Sequence, residues 1–256
     1  DPAYDQIIQG VSGVMSITGT TDTGPTRVGY PLADTTGGMT AAMAIAAQLC
    51  ANPRGAFLDV SMTDAVISAM GWVVSNHVIG GVTPAAHGNE NTTSAPSGTF
   101  ETADHNINIA ANRDEQWVAL VRCLNLEELL TDPRYLTREH RKANRHQLRT
   151  QLEKVLKTQP AHYWVSTLNE LGVPSGPVLT VPQVLADPQV KARNIITDLD
   201  VGDERLQIAA APVVVDDVRP QATIPPPTLG AHNFEVWEEI GLTPEEIEQL
   251  KEKGVI

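Results

Sequence analysis

Asp34 is the side chain in this sequence best placed to do chemistry. It sits in Val28-Gly29-Tyr30-Pro31-Leu32-Ala33-Asp34-Thr35-Thr36-Gly37-Gly38, where a turn hands over to the apolar stretch Met39-Thr40-Ala41-Ala42-Met43-Ala44-Ile45-Ala46-Ala47-Gln48-Leu49. That stretch is rich in alanine and other good helix formers, so Asp34 falls at or just ahead of a helix N-terminus. Free backbone N–H groups and the helix dipole favour a carboxylate there. On local pattern alone Asp34 reads as an N-cap. Pro31 stiffens the approach, and Gly37 and Gly38 let backbone or a ligand come close. Asp64, ahead of Ala65-Val66-Ile67-Ser68-Ala69-Met70, reads as a second N-cap rather than a second acid.

Other reactive side chains point to structural roles. His77, His140, His146 and His162 show no metal-ligand spacing with the acids, and no metal site is expected. Arg138, Arg141, Lys142 and Arg145 form a basic cluster that reads as a solvated helix face more readily than as a phosphate contact. Cys50 and Cys123 are too few for a disulfide framework and read as buried thiols in helices, which suits a reducing cytosol.

Around these residues the chain alternates helices with short strands. A helix, a loop and two further helices fill the region to about Ser75, with a strand expected at Phe57–Met62 after a turn at Asn52-Pro53-Arg54-Gly55. Periodicity fails between Gly80 and Ser97, a stretch too long for an ordinary connection. A strand pair is expected at Thr99–Thr102 and Asn106–Ala111, and helices then follow with loops at Thr131-Asp132-Pro133 and Thr158-Gln159-Pro160. A short helix near Val184 and another strand pair around Gly202-Asp203-Glu204 come next. Pro220–Pro227 reads as an extended linker. A helix begins near Phe234, and a last one is capped by Thr243 with Pro244 at its first position. The pattern is α/β with a small α+β domain appended.

Composition narrows the function. The 256 residues are 41% hydrophobic, enough for one sizeable core or two small ones. A net charge of −13 argues against nucleic acid or an anionic membrane as partner. No apolar run approaches the length needed to cross a bilayer. A cytoplasmic protein is the expectation.

Several blocks taken together resemble the class III CoA-transferases, the relatives of formyl-CoA transferase, carnitine CoA-transferase and α-methylacyl-CoA racemase. They are Asp5-Gln6-Ile7-Ile8-Gln9-Gly10-Val11-Ser12-Gly13-Val14-Met15-Ser16-Ile17-Thr18-Gly19, Leu32-Ala33-Asp34-Thr35-Thr36-Gly37-Gly38, Gly55–Val66, Gly172–Val178, Asp187-Pro188-Gln189 and Leu229-Gly230-Ala231-His232-Asn233, in the family's order. The resemblance implies that Asp34 is the nucleophile. It implies a CoA-transferase moving CoA between small carboxylic acids, dicarboxylic ones included, with a coenzyme A thioester as substrate and no bound cofactor.

Tyr4, thirty residues before Asp34, stands where the racemases of the family hold a histidine. A racemase needs an acid/base pair of suitable pKa, so tyrosine favours transfer over racemisation. The resemblance places His87, Gly88, Asn89, Ser97 and Gly98 where transferases carry a loop over the reacting aspartate. Where the family usually has glycine, His105 stands, a turn expected to be more strained.

The implied domains are 1–75, part of a Rossmann-like large domain with the nucleophile; 76–98, a linker and active-site loop; 99–219, the small α+β domain; and 220–256, the Pro-rich linker with helices returning to the large domain. Family members carry a further N-terminal Rossmann-like half and form interlinked homodimers. The half is therefore expected on a companion chain or a longer one. The remaining alternatives are an acyl-CoA racemase or epimerase of the same fold, and a non-catalytic subunit or fragment that binds CoA thioesters.

Overall fold

A computed structural model describes residues 2–53 and 55–256. Arg54, in the turn expected at Asn52–Gly55, lies outside them. The chain divides into two units, one reaching Val178 and the other Leu179–Ile256.

The first unit opens with helix α1 (Asp5–Val11) and a 3₁₀ turn (Val14–Ile17), followed by α2 (Leu32–Cys50), α3 (Met62–Ala69) and α4 (Trp72–Gly80). Ile8, Val14, Ala33 and Val66 form a small core among them, flanked by Ile17, Leu32, Met62 and Met70. Helix α2 begins at Leu32, earlier than its alanine-rich stretch suggests, and runs through Gly37 and Gly38. Gly37 is buried against α3, and a Cβ there would meet Met62 Cγ at 3.1 Å. Close helix packing offsets the low helix propensity of glycine.

Along its 19 residues α2 buries only Ala33 and Gly37, leaving Met39, Met43 and Leu49 exposed. Cys50, expected to be buried, is exposed. No strand forms at Phe57–Met62: residues 55–61 are irregular, Phe57 is 95% exposed, and Met62 already starts α3. A lone strand has nothing to pair its backbone groups with, and no other strand lies in this part of the described chain. Asp64 is not the cap of α3. Ser61 is, its Oγ accepting the Asp64 N–H at 3.2 Å.

The remainder of the first unit is an antiparallel sheet covered by helices. Strands β1 (Ser97–Glu101), β2 (Asn106–Ala110) and β3 (Ser175–Pro177) lie in the order β1-β2-β3, with Phe100 opposite Ile107 and Ile109 opposite Ser175. On central β2, Ile107 and Ile109 point inward while Asn106 and Asn108 point out, the period-two pattern of a half-buried sheet. Helices α5 (Asp114–Cys123), α6 (Arg138–Ala143), α7 (Arg145–Leu156) and α8 (Ala161–Glu170) follow.

On α7, Leu148, Leu152 and Leu156 recur at i, i+4 and i+8 and are fully buried, each contributing about 2 kcal/mol. They join Trp117, Leu120, Trp164 and Leu168 in one core. The β1–β2 turn is not strained at His105, which is absent from the non-glycine residues with positive φ. Asp104 organises it instead, accepting the His105 N–H at 2.8 Å and the N–H of Ala161, first residue of α8, at 2.7 Å.

In the second unit, helices α9 (Val181–Ala186) and α10 (Pro188–Ala192) precede the hairpin β4 (Ile196–Val201) and β5 (Glu204–Ala209), paired Ile196 to Ala209. Residues 220–227 carry no regular structure, as their prolines require. Helices α11 (Asn233–Glu239) and α12 (Pro244–Glu252) close the chain, α12 with the expected Thr243 cap, which forms a capping box with Glu246. The whole is a mixed α/β fold with small sheets. Among the described residues no helix is long and apolar enough to cross a membrane.

Candidate active site

Asp34 is the third residue of α2 and is exposed. It lies inside the first turn and does not cap it. The cap position belongs to Pro31, whose side chain bonds nothing. The free N–H groups of the turn find partners elsewhere: that of Leu32 donates to the Tyr30 carbonyl at 2.8 Å and that of Thr35 to the Pro31 carbonyl at 3.0 Å. The Ala33 N–H donates to Asp5 Oδ1, also at 2.8 Å. Among the described residues none accepts from the Asp34 N–H, and the Asp34 carboxylate has no hydrogen-bond or ion-pair partner. An exposed, unengaged carboxylate at the positive end of a 19-residue helix is free to act as a nucleophile, and the open N–H beside it can donate to an oxyanion.

Sequence reasoning missed what holds this turn. Asp5 is 8% exposed and Gln9 fully buried, one turn apart on α1. Gln9 Nε2 donates to Asp5 Oδ2 at 2.8 Å and to the Tyr30 carbonyl at 3.2 Å, while Gln9 Oε1 accepts the Val28 N–H at 2.8 Å. Arg27 stands 3.7 Å from Asp5 Oδ2. The i, i+4 spacing of Asp5 and Gln9 marks one helix face, the only signal in the sequence that pairs them. The Asp5–Ala33 bond also locates Tyr4. Tyr4 precedes Asp5 and Asp34 follows Ala33, so both lie at the same meeting point of α1 and α2. Tyr4 is 83% exposed.

The loop candidates form a second group. Gly88, with φ of +58°, donates its N–H to the Gly19 carbonyl at 2.7 Å, and a Cβ there would meet Thr20 Cγ2 at 2.8 Å. At Gly98 a Cβ would meet the Asn89 carbonyl oxygen at 2.8 Å, so a bare backbone lets the loop lie on β1. Ser97 is buried; its carbonyl accepts the Asn91 N–H at 3.0 Å, and its Oγ accepts from Asn91 Nδ2 at 3.3 Å. His87 is exposed at the loop's turn, its carbonyl accepting from the Glu90 N–H at 3.1 Å.

His87, Gly88 and Asn89 border an open cavity of about 940 Å³ with Thr20, Arg145 and Arg149. Asp34 does not line it. The structure thus joins the loop residues to Ser97 and Gly98 and to the 19–20 turn, and it joins Asp5, the neighbour of Tyr4, to the Asp34 turn.

Of the basic cluster, Arg138 is exposed as expected and Lys142 pairs with Glu139 on the same helix, but Arg141 and Arg145 turn inward and do not belong to a solvated face. Arg141 is buried, bonded to the carbonyls of Ala95 and Tyr135 and to Asp114. Arg145 and Arg149 both meet Glu90, and Arg149 also reaches Glu153 at 3.3 Å and lies over the Phe100 ring. These arginines pin the far end of the loop to α6 and α7.

Comparison with known proteins sets the site in context. Residues 1–233 match CoA-transferase family III. The chain is 38% identical over 199 residues to the acetyl-CoA:oxalate CoA-transferase of Acetobacter aceti, covering 76% of this chain and 51% of that protein. It is 31% identical to the succinyl-CoA:mesaconate CoA-transferase of Haloarcula hispanica, covering 94% of this chain and 61% of that protein. The crystal structure of a CAIB/BAIF family protein from Brucella suis superposes with a TM-score of 0.79 at 30% identity, covering 93% of this chain and 63% of that one. The chain spans about half to three fifths of the length of the curated relatives it matches.

Proposed function

Because the chain belongs to CoA-transferase family III, we propose that it carries the nucleophile of a CoA-transferase acting on small carboxylic acids. The observation that carries this reading is Asp34, exposed in the first turn of α2 with its carboxylate unengaged among the described residues. In the proposed reaction an Asp34 oxygen attacks the thioester carbonyl of an acyl-CoA; the C–S bond breaks, CoA thiolate leaves, and a mixed anhydride remains. The thiolate then attacks the Asp34 carbonyl, releasing the first acid and leaving an aspartyl-CoA thioester. The acceptor carboxylate reverses the two steps. Each tetrahedral oxyanion forms beside the open Asp34 N–H.

The relatives named for oxalate and mesaconate support a dicarboxylic acceptor. Tyr4, at the same meeting point as Asp34, supplies a phenol to hydrogen-bond the acyl carboxylate. His87, Gly88, Asn89, Ser97 and Gly98 belong to this reading as the loop that closes on substrate. The reading also takes residues 1–75 and 220–256 as a large domain, 99–219 as the appended one, and the location as cytoplasmic. The exposed apolar face of α2 supports burial in a homodimer or against the further half that the family carries.

Asp34→Ala in the active enzyme tests the proposal. It is expected to lower kcat by about 10⁴-fold or more while leaving the melt unchanged. Hydroxylamine added during turnover is expected to leave a hydroxamate on the peptide containing Asp34. Turnover of Asp34→Ala at the parental rate would exclude covalent catalysis by this residue.

A further inference from the structure

Beside the nucleophile's turn lies a buried carboxylate that the reaction does not use. Helices usually satisfy their first N–H groups with a side chain at the cap position. In α2 that position is Pro31, which has no acceptor side chain, and an aspartate in the first turn is the nearest local substitute. Were Asp34 to fold back on its own turn, its carboxylate would be held by backbone hydrogen bonds. Asp5, twenty-eight residues earlier, takes the Ala33 N–H instead. Its second oxygen is held by Gln9, and Gln9 in turn grips both Val28 and Tyr30 in the segment leading to the helix. Gln9 is fully buried and Asp5 nearly so, and every polar atom of the two side chains has a partner within hydrogen-bond reach.

We propose that Asp5 is a positioning residue, a cap supplied from outside the helix that holds the first turn of α2 in place and leaves the Asp34 carboxylate free for attack. The inference rests on the reading of Asp34 as nucleophile. Gln9 orients Asp5 and fixes the approach segment, so the pair sets both the place and the direction of the reacting carboxylate. Attack on a bound thioester tolerates little displacement: about 1 Å can cost on the order of 10²-fold in rate.

Asp5→Ala and Asp5→Asn, measured in the active enzyme beside Asp34→Ala, test this. Asp5→Ala is expected to lower kcat by roughly 10- to 100-fold with KM for the acyl-CoA within about threefold. Asp5→Asn keeps an acceptor for Ala33 but sets an amide donor against Gln9 Nε2, so an intermediate loss is expected. Amide exchange at Ala33 rises in both variants, most in Asp5→Ala, while amides of the Leu148–Leu156 core exchange as in the parent. Unchanged kcat in Asp5→Ala, or a loss wholly in KM, overturns the proposal. If Asp5→Ala does not fold, Asp5→Asn decides: parental kcat and parental Ala33 exchange overturn it. Should Asp34→Ala prove active, the reading of Asp34 as nucleophile falls. Exchange at Ala33 then still judges Asp5 as the cap, because it does not depend on turnover.

Discussion

Replacing Arg141 tests whether the end of the long loop is held from the core of the sheet-and-helix region. Arg141 is 2% exposed; its Nε donates to the Ala95 carbonyl at 3.0 Å, its Nη1 to the Tyr135 carbonyl at 3.2 Å and its Nη2 to Asp114 at 2.6 Å. Its guanidinium also lies 5.2 Å from the centre of the Trp117 ring. Arg141→Met keeps the length and apolar stem and removes every donor. Exchanging a buried ion pair for apolar groups is often neutral, because the desolvation of both charges is recovered. Two features change the balance here. Asp114 is 75% exposed and rehydrates at little cost once abandoned. The other two acceptors are backbone carbonyls of buried residues, which no substitution removes.

Each stranded carbonyl costs about 1–3 kcal/mol and the lost cation–π contact about 1 kcal/mol. After the recovered desolvation, Arg141→Met should destabilise this region by about 3–4 kcal/mol. Arg141→Lys, with one nitrogen unable to span both carbonyls, should lose about half of that, and Asp114→Asn less than about 1 kcal/mol. Urea unfolding followed by intrinsic fluorescence reads this directly, since Trp117 and Trp164 share the affected core. Arg141→Met within about 1 kcal/mol of the parent, or Arg141→Lys as stable as arginine, would refute the reasoning.

Two further substitutions probe the loop and the turn. Gly88→Ala should lower the melting temperature, because the left-handed backbone costs about 1–2 kcal/mol and the new methyl meets Thr20 Cγ2. Thr20→Ser should restore part of the loss, and strict additivity in the double-mutant cycle would deny the contact. For Asp104, the Ala161 N–H, then Thr102 and the His105 N–H hold the carboxyl below its ordinary pKa. Its contribution is therefore full above the unfolded-state value and is lost as the pH falls through the depressed folded value. Asp104→Ala should melt earlier at neutral pH and show a shallower loss of stability on acidification; parallel curves for variant and parent would contradict the assignment.

Much of this was readable from residue order, and the failures have physical causes. The β1–β2 pair and the Thr243 cap followed from local rules, because alternation and cap chemistry are properties of neighbours. Tertiary partners are not. The start of α2 depends on Asp5, and the packing of Gly37 on Met62; neither can be read from the alanine run. Phe57–Met62 alternates like a strand but finds no partner, and Cys50 ends an apolar helix whose buried residues, Ala33 and Gly37, lie at its other end. Asp34 was legible as a site through family pattern, with local pattern alone offering a cap. The roles of Glu90, Arg141 and Arg149 required knowing that the loop returns to α6 and α7.

The distribution of buried side chains also bears on the order in which the polypeptide matures. The large core draws on one uninterrupted stretch from Phe100 to Val173, so it can nucleate from contacts close in sequence. The helices before it leave the ribosome first, yet their own core is four side chains and their longest helix shows apolar residues all round. Consolidation is therefore expected to run against the direction of synthesis, with the segment bearing Asp34 made before the larger core and secured after it. In that interval Met39, Met43 and Leu49 are surfaces that a chaperone can hold and a premature neighbour can capture.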